Sequence, residues 1–318
     1  MGGFELGKPI YFISFVDEFP LQPISASVVF DQSTPMRWHL PFTSLSLSRS
    51  FSRPFPLPTP LSSVDIETLE KEQFLVVKNF LPPSLLLSLR SDHRFLRSSD
   101  RFVPSGIGDD KTLATSIRNG ESLFLSRNLS GGDEDCRSSL HSSVDEIADC
   151  LNDHMGEGEI INLATTELLY AYYPRGGFYS KHVDSLPNSV SAMRCWSFLI
   201  YLNENWKKGD GGELRVHHSG LPPLRCFDED IVVTSDSGQY FDVQPVGGAL
   251  VIFKSSTCLH EVLPTLSDER IAVVGWFNRK VSPRDIFNLI SKETATRIAL
   301  GSLSVVMIVL GLRLLLES

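Results

Sequence analysis

The sequence has 318 residues with a formal net charge of −9 at pH 7, and 42% of its residues are hydrophobic. This length and apolar content allow one large domain or two small ones with a sizeable core. The acidic charge balance disfavours a general nucleic-acid binder, because phosphate recognition normally needs a basic surface. The five cysteines include no CxxC pair. They therefore fit neither a disulfide framework nor a zinc ribbon, and they favour a reducing compartment.

Residues 1–62 have the composition of a disordered leader rather than of a packed domain. The segment 36–62 is rich in serine, arginine and proline and contains no Asp or Glu, which is typical of an organelle transit peptide. Acidic residues before Met36 leave two alternatives: Met36 is the true start, or the whole leader is a disordered arm. We therefore expect an intracellular protein, targeted to the chloroplast or another organelle, with the cytoplasm or nucleus as the alternative.

Residues 63–159 are predicted to form an N-terminal helical support region. A first helix is expected at its start, followed by a strand over 73–80. A proline pair at Pro82 is typical of the first turn of a second helix, and 138–151 has apolar residues at helical spacing. Between these helices, 91–135 is expected to be a polar, irregular surface segment with one short apolar element, SLFLS.

Residues 160–280 change to short apolar runs separated by turn residues. About nine strands are predicted, with glycine pairs at 211–212 and 247–248, and this pattern indicates an antiparallel sandwich or barrel. Because helices come first and strands follow, the predicted fold class is α+β with flanking helices around a β-rich catalytic core. The predicted strands are INLATTELLYAYYP, FYSKHVD, RCWSFLIYLN, GELRVHH, DIVVTS, QYFDVQP, GALVIFKS, CLHEVLP and ERIAVVGWFN.

Residues 281–318 return to a helical pattern that ends in an apolar stretch. Ser282 as N-cap and Pro283 at the first helical position predict the helix start. The stretch 298–316 is mostly apolar but contains Arg313, so it reaches the ~20 residues of a bilayer span only if that arginine snorkels. We expect either a C-terminal membrane tail or an apolar helix that packs on the sheet or on a second subunit.

A His-x-Asp pair, His182 and Asp184, lies in a predicted extended segment. Residues two apart on a strand share a face, so an imidazole and a carboxylate can bind one ion. A facial triad for non-haem iron needs a second histidine. The best third ligand is His260, on a strand expected beside the pair, and its competitors are His217 and His218. The remaining histidines precede the strands and are expected on the surface: His39, His93, His141 and His154.

One arginine, Arg270, begins an otherwise apolar predicted strand ten residues after His260. An arginine in that position is usually a solvated edge residue. In a barrel that holds a metal, its planar guanidinium suits a carboxylate bound through two parallel hydrogen bonds. A dicarboxylic co-substrate that binds the metal at one end and Arg270 at the other would explain both features.

Several spaced motifs occur together in about a third of the chain. In chain order they are Tyr173-Pro174, Tyr179-x-x-His182-x-Asp184, Arg194-Cys195, Ile200-Tyr201-Leu202-Asn203, Gly211-Gly212-Glu213-Leu214-Arg215, and His260-Glu261-Val262-x-Pro264 followed by Arg270. With these motifs the run from Tyr172 to Phe277 resembles iron(II)/2-oxoglutarate dioxygenases, and more closely their prolyl 4-hydroxylase branch, which includes the hypoxia-inducible-factor prolyl hydroxylases. The resemblance implies a double-stranded β-helix, the jelly-roll or cupin-like core of that family.

The resemblance also implies roles for individual residues. The three that match the iron(II) ligands are His182, Asp184 and His260. Arg270 matches the partner of the distal carboxylate of 2-oxoglutarate, and Tyr201 matches a tyrosine that hydrogen-bonds the same carboxylate. Tyr173 and Tyr179 match residues that line the mouth of the pocket. Apart from the metal ligands, no side chain is expected to be catalytic.

The implied reaction is hydroxylation of a peptidyl residue, most simply proline, with O₂ as co-substrate, succinate and CO₂ as coproducts and L-ascorbate as reductant. A nucleic-acid demethylase of the AlkB type is an alternative, but it predicts a second arginine at the position of Trp276. The other alternative is a catalytically silent, membrane-tethered binding module. The three candidate metal ligands and Arg270 count against it, because a barrel without a ligand has no physical reason to keep four polar groups pointing inward. The choice of substrate is expected to depend on the segments 91–135 and 218–240.

Overall fold

The computed structural model describes residues 55–280 apart from a few short gaps, at 57, 59, 109–111, 155–159, 188, 218–230 and 236. The predicted leader and the predicted C-terminal apolar helix therefore lie outside the described residues. Within the described ranges, no helix is both long and apolar enough to cross a membrane. The boundaries of the four predicted regions stay a prediction.

Three α-helices occur in the described part of the chain: α1 (Ser63–Glu72), α2 (Pro83–Ser98) and α3 (Glu134–Asn152). Helix α1 begins with a capping box, in which Ser62 and Asp65 each bind the other's backbone N–H. Asp133 caps α3 by accepting a hydrogen bond from the third helical residue, so this helix begins four residues earlier than its apolar spacing predicted.

The strands of the described residues form two antiparallel sheets. In chain order they are β1 (Phe74–Val77), β2 (Val103–Pro104), β3 (Arg118–Asn119), β4 (Glu121–Phe124), β5 (Glu167–Pro174), β6 (Phe178–His182), β7 (Arg194–Tyr201), β8 (Leu214–His217), β9 (Val232–Thr234), β10 (Tyr240–Val243), β11 (Leu250–Lys254), β12 (His260–Val262) and β13 (Glu269–Asn278). The major sheet has the order β1-β11-β7-β13-β5-β4-β2, and the minor sheet has the order β3-β6-β12-β8-β10-β9.

The major sheet is buried on both faces. Every residue of β7 from Cys195 to Tyr201 is buried. Phe198 and Ile200 belong to a core shared with the three helices, whereas Leu199 and Tyr201 belong to a core shared with the minor sheet. Since neighbouring strand residues point to opposite faces, this uninterrupted run of buried residues is what a strand covered on both sides requires.

The minor sheet has one buried and one solvated face. In β8, Leu214 and Val216 are buried, whereas Arg215 and His217 are half-buried on the other face. Strand β10 repeats the alternation, and its Asp242 lies opposite Arg215 and accepts two hydrogen bonds from it at 2.8 Å. The buried face of this sheet lies against the major sheet. The space between the two sheets should therefore be filled by apolar side chains, and a polar side chain there needs an explanation.

All nine predicted strands of residues 160–280 are confirmed, as is their antiparallel arrangement. The result is a mixed, sheet-rich fold with few helices, consistent with a jelly-roll core. One prediction was wrong: 91–135 is not an irregular surface segment. Helix α2 extends through Ser98, and the short strands within the segment pair with β5 and β6, so it adds edge strands to both sheets.

The prediction that His93 lies on the surface was also wrong. Its side chain is fully buried where α2 packs on the major sheet. Its ring meets Phe102 and Tyr170 edge to face, with centroids 4.9 and 5.1 Å away, and its Nε2 lies 3.3 Å from the carbonyl oxygen of Ala171. Burial lowers the pKa of His93 to about 3, so this histidine is neutral at pH 7.

Candidate metal centre and adjoining cavity

Two adjacent strands of the minor sheet bring His182, Asp184 and His260 together. His182 ends β6 and His260 begins β12, and the two residues lie directly opposite each other in the antiparallel ladder. Their ring centroids are 4.2 Å apart. Asp184 follows β6 and reaches both rings, with oxygens 3.5 Å from His182 Nε2 and 3.8 Å from His260 Nε2. One ligand atom from each residue lies within 4.8 Å of the others, which is a spacing that can hold one metal ion.

Both imidazoles are oriented by the same local contact. His182 Nδ1 lies 2.8 Å from the carbonyl oxygen of Ser180, and His260 Nδ1 lies 3.0 Å from the carbonyl oxygen of Cys258. A carbonyl oxygen only accepts, so Nδ1 carries the proton and donates it in each ring. The Nε2 lone pair of each neutral imidazole therefore faces the centre of the cluster, as a metal ligand requires.

The pKa values of His260 and Asp184 favour a neutral imidazole beside a charged carboxylate. Burial and, to a smaller extent, the neighbouring His182 lower the pKa of His260 to about 4. Burial opposes the charge of Asp184. His260 and the hydrogen bond and charge of His182 nevertheless hold the Asp184 pKa well below its usual range. In these protonation states His260 and Asp184 can both donate electron pairs to a cation.

Asp184 is held in place by the backbone of the neighbouring sheet. Its N–H and that of Ser185 both donate to the carbonyl oxygen of Ser255, each at 3.0 Å. Ser255 follows β11, and its hydroxyl lies 2.8 Å from the hydroxyl of Ser197 on β7. The loop that carries the Asp184 carboxylate is thus attached to two strands of the major sheet. The position of Asp184 therefore does not depend on β6 alone.

A cavity of about 280 Å³ opens beside the three residues and extends to Arg270. Tyr173 and Tyr179 also line it. Apolar side chains from both sheets also line the cavity; they include Leu199, Leu214, Val262 and Val274. The cavity is therefore the space between the two sheets that the apolar cores leave unfilled.

Arg270 is almost completely buried, with 2% of its surface exposed. Its Nε donates to the carbonyl oxygen of Gly212 at 2.7 Å, and its Cζ lies 5.2 Å from the ring centroids of Tyr173 and Tyr201. Gly212 has φ +76°, and a Cβ there would come within 2.8 Å of the arginine Cδ. Glycine at this position is therefore needed both for the backbone conformation and for the close approach of the guanidinium.

Three buried polar atoms around this guanidinium have no hydrogen-bond partner in the described part of the chain: Arg270 Nη2, Tyr201 Oη and Thr265 Oγ1. Buried polar groups are nearly always hydrogen-bonded, so such a group of unsatisfied atoms indicates a missing partner. A carboxylate is the partner that suits a guanidinium and two hydroxyls together. Tyr201 is fully buried beside Arg270 and is not among the residues that line the cavity.

Tyr179 stacks directly on one of the candidate ligands. Its ring centroid lies 3.6 Å from that of His182, with 24° between the planes, and Arg118 Cζ lies 4.7 Å from the Tyr179 centroid. Burial raises the pKa of Tyr179 to about 12, so the phenol stays neutral. Tyr179 thus fixes the plane of the His182 imidazole by packing.

The competing histidine His217 is not part of the cluster. Val216, not His217, lies opposite His260 in the ladder, so the His217 side chain points to the solvated face. There its Nε2 lies 2.9 Å from Glu261 Oε1. His218 lies outside the described residues. Because neighbouring residues of β8 point to opposite faces of the sheet, His217 lies on the face opposite to that of His260.

Three cavity-lining residues received no role in the sequence interpretation: Arg118, Arg194 and Trp276. Arg194 donates to both carboxylate oxygens of Glu167, at 2.9 and 2.7 Å, and its Cζ lies 3.9 Å from the Trp276 ring centroid. Trp276 Nε1 and Arg118 Nε are buried and have no partner among the residues described. The sequence could have indicated Trp276, because it lies six positions after Arg270 and an even spacing places two strand residues on the same face.

Comparisons with known proteins agree with this geometry. Residues 168–278 match the family described as the 2OG-Fe(II) oxygenase superfamily. The chain is similar to a hypoxia-inducible factor prolyl hydroxylase of Caenorhabditis elegans, with 34% identity over 121 residues; this match covers 37% of the present chain and only 14% of that relative. The chain thus spans a small part of the length of this curated relative.

Two solved structures resemble most of the described chain. A Pseudomonas putida prolyl-4-hydroxylase has a TM-score of 0.55 and 26% identity, covering 68% of this chain and 98% of that one. A Trichoplax adhaerens prolyl hydroxylase in complex with a hypoxia-inducible factor peptide fragment has a TM-score of 0.55 and 22% identity, covering 75% and 91%. The second likeness is evidence for the fold alone.

Proposed function

Because residues 168–278 form a 2OG-Fe(II) oxygenase domain, we propose that the protein is an iron(II)- and 2-oxoglutarate-dependent dioxygenase that hydroxylates a peptidyl proline. One observation carries the proposal. A cluster of two histidines and one carboxylate and a buried, incompletely satisfied arginine lie at two ends of one cavity. A co-substrate with a metal-binding group at one end and a carboxylate at the other fits that arrangement.

The residues fit iron(II) by their donor set. Two imidazoles and one carboxylate are the facial ligands of non-haem iron oxygenases, and they leave positions open for other ligands. His182 and His260 would bind through Nε2, since Nδ1 of each ring is already used as a donor. Asp184 would supply the negative charge that a divalent cation needs in a buried site.

The residues at the other end fit 2-oxoglutarate. Arg270 would bind the distal carboxylate through the Nη2 atom that the protein leaves unsatisfied, and Tyr201 would donate its hydroxyl to the same group. Tyr173 and Tyr179 would line the space between carboxylate and metal. Once bound, iron and 2-oxoglutarate supply the oxidising chemistry, in which O₂ is consumed and succinate and CO₂ are released.

The chain's own contribution is to position the reactants and exclude water. No described side chain near the metal cluster needs to remove a proton, since an unactivated C–H bond is not cleaved by acid–base chemistry. The apolar side chains of Leu199, Leu214 and Val262 instead make the cavity wall unfavourable for water. Positioning and water exclusion are the usual protein contributions where a cofactor carries the difficult step.

A proline within a peptide is supported as substrate by the relatives and by the cavity wall. The Pseudomonas putida prolyl-4-hydroxylase aligns with 26% identity over 98% of its own length. Arg118 Nε and Trp276 Nε1 are buried N–H donors that find no acceptor in the described residues, and backbone carbonyl groups of a bound peptide would satisfy them. Proline itself brings no N–H into the apolar cavity.

Three further proposals rest on the sequence. They are L-ascorbate as the reductant that keeps the iron ferrous, a membrane tail at 298–316, and organelle targeting by 36–62. Alkaline carbonate extraction of the full chain and of a variant ending at Lys280 tests the tail. Equal solubility of the two would contradict it.

The enzyme proposal is tested by iron-dependent conversion of 2-oxoglutarate to succinate. We expect His182→Ala and His260→Ala to abolish it, because each removes one metal ligand. His217→Ala is the matched control, since this histidine lies on the same sheet but faces solvent, and it should retain turnover. Mass spectrometry of candidate peptides should then detect hydroxyproline. Unchanged ferrous iron binding in both ligand variants would contradict the assignment of the metal centre.

A further inference from the structure

Two serine side chains are fully buried beside the candidate metal centre. Ser197 on β7 and Ser255 after β11 have no exposed surface, and their hydroxyl oxygens are 2.8 Å apart. The residues opposite Ser197 in the major sheet are aromatic, Phe253 on β11 and Trp276 on β13. A buried hydroxyl costs free energy unless it is hydrogen-bonded, so two serines in such surroundings need a reason that packing alone does not supply.

One face of β7 is directed to both ends of the metal cavity. Ser197, Leu199 and Tyr201 are two residues apart and therefore share a face of the strand. Leu199 lines the cavity, and Tyr201 lies beside Arg270. A strand rises about 3.3 Å per residue, so Ser197 lies roughly 13 Å from Tyr201 along β7. Tyr201 thus serves the arginine end of the cavity, and Ser197 lies at the metal end.

A pair of serine hydroxyls does not satisfy itself completely. Each hydroxyl has one proton to donate, and the bond between Ser197 and Ser255 uses only one of the two. The second proton needs a further acceptor, which is the Asp184 carboxylate. Burial opposes the charge of this carboxylate, whereas His260, His182 and a hydrogen bond from Ser197 lower its pKa. The hydrogen bonds therefore run from Ser255 through Ser197 to Asp184.

Ser255 holds both the backbone and the side chain of the metal-binding loop. Its carbonyl oxygen accepts from the N–H groups of Asp184 and Ser185, each at 3.0 Å. Its hydroxyl acts on the Asp184 carboxylate through Ser197. Hydrogen bonds to a charged group are about twice as strong as neutral ones, and bonds in a chain polarise each other. The orientation of the carboxylate is therefore set by the protein itself.

This orientation matters because a carboxylate binds a metal through one oxygen or through both. A facial triad is useful to an oxygenase because it leaves positions open for other ligands. A second bond from Asp184 would occupy one of the positions that 2-oxoglutarate and O₂ need. An oxygen that accepts the Ser197 proton is turned toward the serine, which leaves the other oxygen for the metal.

We infer that Ser197 is a positioning residue of the metal centre, whose hydroxyl is oriented by Ser255 and holds one oxygen of Asp184 so that the other binds the metal. The inference rests on the proposed function and deepens it, because it concerns the same iron site. Ser197 is not among the residues that line the cavity, so it acts through Asp184 rather than on the co-substrate.

Cobalt(II) binding to the full chain tests the inference, because the visible spectrum of this ion depends on its coordination number. We expect Ser197→Ala to raise the Kd for Co²⁺ about 10- to 100-fold, the usual effect of losing a partner behind a metal ligand. The spectrum should also change, since both carboxylate oxygens are then free to bind. Ser197→Thr keeps the hydroxyl and should retain the wild-type Kd and spectrum. Ser255→Ala should have a smaller effect in the same direction.

The matched control is Ser143→Ala on α3. Ser143 is 2% exposed, and its hydroxyl donates to the carbonyl oxygen of Ser139 at 2.9 Å. This variant also loses a buried, hydrogen-bonded hydroxyl, but it should keep the wild-type Kd for Co²⁺. Wild-type Co²⁺ binding and spectrum in Ser197→Ala, or equal weakening in Ser143→Ala, would disprove the positioning role. If Ser197→Ala does not fold, an unchanged Kd and spectrum in Ser255→Ala overturn it.

The failure of the proposed function gives a different result. In that case the wild-type protein forms no succinate from 2-oxoglutarate, yet Co²⁺ binding that Ser197→Ala weakens still supports the positioning role. Wild-type turnover together with unchanged Co²⁺ binding in Ser197→Ala overturns the inference and leaves the proposed function intact. A wild-type protein that does not bind Co²⁺ contradicts both.

Discussion

Two buried polar clusters lie on opposite faces of the major sheet, and they differ in how completely they are satisfied. On the helix side, Asp92 accepts hydrogen bonds from Arg137 Nη1 at 2.6 Å, from the Tyr170 hydroxyl at 2.9 Å and from the Asp133 backbone N–H at 2.6 Å. On the cavity side, Arg270 has a buried Nη2 with no partner in the part of the chain that the structure describes. Both clusters bury charge, but only the second lacks its counter-charge.

This difference separates a structural ionic cluster from a ligand site. Desolvating a charge is costly, so a protein that folds without ligand satisfies its buried ions internally, as Asp92 and Arg137 do. A buried arginine whose hydrogen bonds are incomplete is tolerated where a ligand completes them. The contrast therefore predicts opposite responses: loss of the Asp92 cluster should impair stability, and loss of the cavity-side groups should impair function.

The largest effect is expected from Asp184→Asn. It removes the carboxylate from the candidate metal centre, and we expect iron-dependent succinate formation to fall at least about a hundredfold, because even partners behind metal ligands change activity 10–100-fold. The amide keeps the shape of the carboxylate, so the metal-free protein should keep its thermal unfolding midpoint within a few degrees. Full turnover in this variant would show that Asp184 is not a ligand of the metal.

The next largest effect is expected from Asp92→Ala on the helix side. It leaves the buried Arg137 guanidinium without its counter-charge, and such a loss typically costs about 3–5 kcal/mol of unfolding free energy. Urea unfolding monitored by circular dichroism measures it. Asp145→Ala is the control, because the ion pair of Asp145 with Arg127 is partly exposed and should contribute about 1 kcal/mol or less. Similar losses in the two variants would contradict the contrast.

A smaller effect is expected from Arg270→Met on the cavity side. We expect the KM for 2-oxoglutarate to rise about 10- to 100-fold, which corresponds to the ~1.5–3 kcal/mol of a charge-assisted hydrogen bond. Unfolding free energy should change little, because the guanidinium is incompletely satisfied without ligand. Steady-state kinetics and urea unfolding on the same preparation check both statements. An unchanged KM would mean that the carboxylate binds elsewhere.

The effect expected to be smallest at pH 7 comes from His93 on the helix side, because it appears only as the pH falls. Its pKa is about 3 in the folded protein, against 6.5 as the ordinary value, so the unfolded chain takes up a proton first as the pH falls. Stability from this group is therefore fully present above pH 6.5. Below that it decreases by about 1.4 kcal/mol per pH unit toward pH 3. His93→Gln, which stays neutral, should show a shallower loss of unfolding free energy between pH 6 and 4. If the unfolding free energies of the wild type and of His93→Gln fall equally with pH, His93 is not the origin of the pH dependence.

Local patterns in the sequence were sufficient for the strands and for two of the three candidate metal ligands. Alternation of apolar residues and glycine pairs located all nine strands after residue 160, because strand formation depends on the local sequence and its turns. His182 and Asp184 could be paired because two residues of extended chain always return to the same face. Their chemistry needed no long-range information.

Only the tertiary structure decided which distant groups meet. His260 is 78 positions from His182, yet the register of β6 and β12 places them opposite each other, and the same register turns His217 to solvent. The burial of His93 and the unsatisfied Nε of Arg118 also depend on elements far apart in sequence. A sequence pattern carries the period of each strand, but register and packing depend on the sum of many contacts. The metal chemistry was therefore readable from the sequence, and the shape of the substrate site was not.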